Sequence, residues 1–128
     1  MYNPAAPMKG VPVEFMTAQT VLNTLSTVLV PGVGIRNHTI TLIGNLSVAG
    51  VGLTGALQLE TADAPDAVDA WAQFLGGPID LSTMQVTAAG TKSRLELQVS
   101  NVVLNALRGR ISTVVAGGTL SLVYNGQG

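Results

Sequence analysis

Three aspartates, Asp63, Asp66 and Asp69, recur at three-residue intervals, and the single histidine, His38, follows Arg36 and Asn37. A calcium site needs oxygens converging from one loop, and this spacing is not that of the EF-hand loop. On a helix, Asp66 and Asp69 instead share a face near its start, where the positive end of the dipole favours carboxylates. Zinc would need ligands besides His38, and the chain has no cysteine to supply them. No serine stands in a G-x-S-x-G elbow, so His38 has no matching nucleophile of that type. It is read as a solvated or interface histidine in a loop before a strand.

The stretch Gly50-Val51-Gly52-Leu53-Thr54-Gly55 matches G-x-G-x-x-G. A dinucleotide site needs a strand before this pattern and a helix after it, so that the helix N-terminus meets the pyrophosphate. Residues 56–61 alternate like a strand, so the segment reads as a flexible turn between two strands. Arg108 and Arg110 lie two apart and share a strand face, as do Lys92 and Arg94. Six basic residues against seven acidic ones, with few aromatics, do not make a nucleic-acid surface. Salt bridges to acidic groups of a neighbouring subunit are the expected use of the two arginines. Trp71, the single tryptophan, reads as core, with Phe74 at its rim and stacking on a sugar as the functional alternative. No catalytic, cofactor-binding or metal-binding residue is assigned, no cofactor is expected, and the work of this protein is expected to be contact.

Elements must place these residues, and the dominant period is two. Ile40, Leu42, Leu46 and Val48 alternate with Thr41, Asn45 and Ser47; Leu57 and Leu59 with Gln58 and Glu60; Leu95, Leu97 and Val99 with Arg94, Glu96 and Gln98. Residues 107–115 and 120–124 follow the same rule. Each run reads as a strand with one buried face. The parity slip between Ile79 and Val86 predicts a bulge near Ser82 and Thr83. Glycine-rich punctuation between short runs suits a sandwich or jelly roll. One short helix is expected, capped by Asp63, with Pro65 in its first turn, Val68, Trp71, Ala72 and Leu75 at helical spacing, and Gly76-Gly77 at its end. Residues 17–28 fit helix by spacing and strand by β-branched content, and stay open between the two.

Composition sets the setting. The chain has 128 residues, 47% of them hydrophobic and only 10% charged, with net charge −1; roughly 25% charged is usual. So thin an ionic surface predicts a surface covered by partners. No apolar run reaches the ~18 residues that span a bilayer, and no signal-peptide layout opens the chain, so manufacture in a cytoplasm without a membrane partner is expected. Asn37-His38-Thr39 and Asn45-Leu46-Ser47 match the glycosylation pattern by chance on this reading. The architecture expected is an all-β, jelly-roll-like antiparallel sandwich over residues 13–128, with one short helix and an extended arm over residues 1–12. Pro4, Pro7 and Pro12 keep that arm extended and lower the entropy lost when it docks, here on an adjacent subunit.

The arm MYNPAAPMKGVPVEF, the stretch FLGGPIDLS (74–82) and the stretch RGRISTVVAGGTLSLVYNG (108–126) resemble the head-decoration, or cement, proteins of tailed bacteriophages. The resemblance implies a jelly roll on the capsid exterior of a virion, gathered as trimers or dimers, with the major capsid protein as partner. The interface residues expected are Tyr2, Pro4, Pro7, Pro12, Arg36, Arg108 and Arg110. A tail, connector or fibre-base subunit, and a small-ligand or glycan-binding sandwich, are the alternatives.

Overall fold

A computed structural model describes residues 4–66 and 70–128. Among the described residues eight strands form: β1 (Val13–Gln19), β2 (Asn37–Leu46), β3 (Thr54–Ala62), β4 (Ala72–Asp80), β5 (Gln85–Val86), β6 (Lys92–Val99), β7 (Ala106–Ala116) and β8 (Gly118–Gln127). They make two antiparallel sheets, one in the order β1-β8-β2-β6-β5 and one in the order β4-β3-β7. The fold is all β, as expected. Ile40, Leu42, Leu57, Leu59, Leu107, Ile111, Leu120 and Leu122 are fully buried between the sheets. These are the in-facing members of the alternating runs, so the period of two reports which side of each strand leaves water.

The open segment 17–28 resolves into neither alternative as a whole. β1 takes its first residues; after a turn the chain runs extended along the outer edge of β7. Asn23 and Ser26 donate their amides to Ile111 and Gly109, Ile111 donates back to Thr24, and Leu29 exchanges two hydrogen bonds with Leu107. Counted with this extended segment, the second sheet reads 25–29, β7, β3, β4. Most connections then cross between the sheets.

The expected helix is corrected over its described part. Ala72 to Leu75 lie in β4, paired with β3 at Thr61, Glu60 and Leu59. Val68 and Asp69 lie outside the described residues, and Asp63 and Pro65 precede them in a bend and turn. The strand wins because Phe74 packs on the core as the partner of Leu59, while Leu75, on the supposed apolar helix face, is exposed with φ +63°. The expected bulge near Ser82 is instead a 3₁₀ turn, Leu81–Thr83, capped by Asp80. It carries the chain from one sheet to the other. The Ser82 amide (2.9 Å) and hydroxyl (2.8 Å) both donate to the Asp80 carboxylate and hold its pKa below the ordinary value.

A second corner, between β7 and β8, also crosses the sandwich. Gly118 has φ +152°, and a Cβ there would sit 2.0 Å from the Asn45 carbonyl oxygen. Only glycine fits this corner. Backbone hydrogen bonds tie the described part of the arm to its own chain at Ala5 and Gly10. Ala5 bridges Leu29, giving its amide to Val28 and accepting from Val30 (both 2.8 Å), and Gly10 donates to Gly126 (2.8 Å). The described part of the arm therefore lies against the edge of its own sheet.

Candidate functional site

Glu60 projects from the outer face of β3, directly across from Arg108 on β7. Its two carboxylate oxygens accept from two guanidiniums, Arg108 Nε at 2.9 Å and Arg110 Nε at 3.3 Å. Arg110 also reaches Asn23 Oδ1 at 3.3 Å, and Arg108 lies 4.2 Å over the ring of Trp71. Both arginines thus have an acidic partner, Glu60, in their own chain. The pairing brings together residues about fifty apart in sequence, so spacing along one strand could not disclose it. Gln58, beside Glu60 on the same face, is fully buried; its amide nitrogen donates to Leu59 and its Oε1 has no protein partner. Four residues of β4, Leu75 to Pro78, stand in the gap opposite it, between the Leu57–Ile79 and Leu59–Phe74 pairs.

The reading of His38 is corrected as well. It is not a loop residue but the second residue of β2, buried on the same side as Ile40 and Leu42. Its Nε2 lies 2.8 Å from the Val102 carbonyl, and its Nδ1 lies 2.6 Å from the Tyr124 hydroxyl. A carbonyl only accepts, so Nε2 carries the proton and, in the neutral ring, Nδ1 accepts from the phenol. Burial pushes the Tyr124 phenol up to about 12. Both imidazole nitrogens are committed to structure, and the ring holds the loop after β6 against β8. Its parity with Ile40 and Leu42 was the signal that could have placed it.

The other expected site residues scatter. Pro4 and Pro12 are exposed, Pro7 is buried, and Tyr2 lies outside the described residues. Arg36 has an exposed side chain, while its backbone bonds Gln127 and Val102. Among the described residues no three His, Asp or Glu side chains gather as a metal cluster, and no helix is long and apolar enough to cross a membrane. Asp63 and Asp66 are the described aspartates of the triplet, both exposed in the bend and turn after β3. The G-x-G-x-x-G stretch leads into β3, a strand, as expected.

A feature that alternation did not disclose is an apolar flank. Val21 (63% exposed), Leu22 and Leu25 stand on the segment that runs along β7, and Val114 (54%) stands on β7 itself. Large apolar side chains grouped on one side of a domain mark a contact surface. Comparison with models of known families, with characterised proteins and with solved structures found no match to the chain.

Proposed function

We propose that this protein is a structural component of a virion that binds the outside of a tailed-phage capsid, holds neighbouring major capsid protein subunits together, and performs no catalysis. The observation that carries the reading is the flank formed by Val21, Leu22, Leu25 and Val114, on a chain with 10% charged residues. Such a flank gains free energy when another protein covers it, at roughly 25 cal/mol per Å² of apolar surface. A shell offers many identical sites, so modest affinity at each is enough for a clamp that resists internal pressure. The all-β scaffold suits the task, since its long-range strand pairing holds the flank rigid.

The reading is tested on intact particles from the source of the sequence. Antibodies raised against the purified chain should label the exterior of heads in electron micrographs. Label confined to the tail axis would replace the reading by that of a tail or connector subunit, and absence of label from every particle would overturn both.

A further inference from the structure

Two sheets have four edges, and the chain treats them differently. The β7 edge is covered by residues 23–29 and then by Ala5. The β1 edge is bent by two register shifts and accepts a hydrogen bond from Thr27 at Phe15. The β4 edge carries Gly76, Gly77 and Pro78 and leaves the extended path at Leu75 and Gly76 (φ +63° and +93°). Glycine, proline and bulges are the usual means of keeping an edge from pairing. The β6 edge has none of them. β6 pairs with β2 through eight successive residues without a shift, while β5 covers it only at Ser93 and Arg94. Leu95 to Val99 are left with no strand on their outer side among the described residues. The reason is local: the 3₁₀ turn at Leu81–Thr83 brings the chain over from the other sheet only just before β5, so β5 is too short to reach past Arg94.

We infer that this open stretch of β6 pairs antiparallel with the same stretch of a second copy, about a two-fold axis at Leu97. Pairing is self-complementary in this register. Leu97 faces Leu97 of the other copy, Leu95 faces Val99, and Glu96 faces Gln98, twice over. Within one chain Gln98 already donates to Glu96 at 3.1 Å, and across the axis the same amide can donate to the same kind of acceptor. Shifting the axis by one residue to Glu96 sets two carboxylates directly opposite, which opposes pairing. The length fits as well. The incoming strand ends at Val99, opposite Leu95, where β5 begins to occupy the edge, and Asn101 (φ +59°) then turns that chain away. An open groove of about 340 Å³ lies at this junction, lined by Thr83, Gln85, Arg94, Leu95 and Glu96, and gives the departing residues room. Alternate residues of Leu95–Val99 turn their N–H and C=O outward, so the pairing joins two five-stranded sheets through backbone hydrogen bonds.

The pairing is independent of capsid binding and is read on the isolated chain. Sedimentation of the purified protein from micromolar to millimolar concentration should show a monomer–dimer equilibrium. Gln98→Lys sets opposite charges across the axis and should tighten the dimer about tenfold, whereas Gln98→Glu sets like charges there and should weaken it about tenfold. Gln98 is exposed, so neither variant disturbs the core. Because the chain has no cysteine, Leu97→Cys should give a disulfide-linked dimer under mild oxidation, while Gln73→Cys on β4 should stay monomeric. A wild-type chain that is monomeric at millimolar concentration, a trimer, equal shifts in both Gln98 variants, or equal cross-linking of the two cysteine variants would overturn the inference.

Discussion

His38 Nδ1 stands 2.6 Å from the Tyr124 hydroxyl, and both side chains are sealed from solvent between the sheets. Tyr124→Phe keeps the ring and removes the donor, leaving a buried imidazole nitrogen without a partner. A loss of about 1–3 kcal/mol is expected, read from denaturant unfolding midpoints at neutral pH. A variant as stable as the wild type would mean that the hydrogen bond contributes nothing net.

The same phenol makes the fold sensitive to alkali. Its pKa is raised from 10.0 to about 12, so the folded chain favours the neutral form. The stabilisation is fully present below pH 10 and is lost as pH rises through about 12. It amounts to roughly 2–3 kcal/mol at most. Unfolding free energies measured at intervals across this window should fall steeply for the wild type and less so for Tyr124→Phe. Equal slopes would place the alkaline sensitivity elsewhere.

Much of this arrangement was legible in the sequence, for a physical reason. A sandwich turns the apolar side of each strand inward and its polar side outward, so Leu57-Gln58-Leu59-Glu60 and Arg94-Leu95-Glu96-Leu97 announce strand and orientation together. Two things were hidden. Helical spacing among Trp71, Ala72 and Leu75 coincided with a strand that breaks its own alternation at Leu75–Pro78. Pairing partners are set by which strands meet in space, so Glu60 could not be assigned to Arg108 and Arg110 from either strand alone. Low charge pointed to contact, but the flank built by Val21, Leu22, Leu25 and Val114 exists only once residues 20–25 lie along β7.

Glu60 holds two arginines at once, so its removal leaves two part-buried guanidiniums without a counter-ion. Glu60→Ala should destabilise the protein by about 2–4 kcal/mol, near the lower end of a fully buried pair because both arginines keep some contact with solvent. Replacing Arg108 by Met in the same background should cost less than in the wild type. A double-mutant cycle on unfolding free energies gives the coupling, and additivity of the two losses would remove the pair as a source of stability. Arg108→Met should also alter the emission of Trp71, on which the guanidinium stacks.

Gly109 lies on the inner face of β7, and a Cβ there would come 2.6 Å from Leu122 Cδ1 and 3.4 Å from Leu57 Cδ1. The two sheets meet closely at this point because β7 offers them no side chain. Gly109→Ala should cost about 1–3 kcal/mol through overpacking. Shortening the opposing side chain tests the cause, since Leu122→Val alone should destabilise, yet in the Gly109→Ala background should cost less or restore stability. Independent losses that simply add would instead assign the effect to the backbone of β7.

The arm closes the outer edge of its sheet through Ala5, whose amide donates to Val28 and whose carbonyl accepts from Val30, both at 2.8 Å. Ala5→Pro removes the first of these donors and so should loosen the second contact with it. Hydrogen exchange is the direct measurement. The Val30 amide should lose protection in Ala5→Pro, while the Leu29 amide, bonded to Leu107 at 2.8 Å on the other side of the same segment, should keep most of its own. Equal loss at both amides would mean that the 25–29 segment depends on the arm for its place against β7. Unchanged protection at Val30 would mean that in solution the arm lies away from this edge.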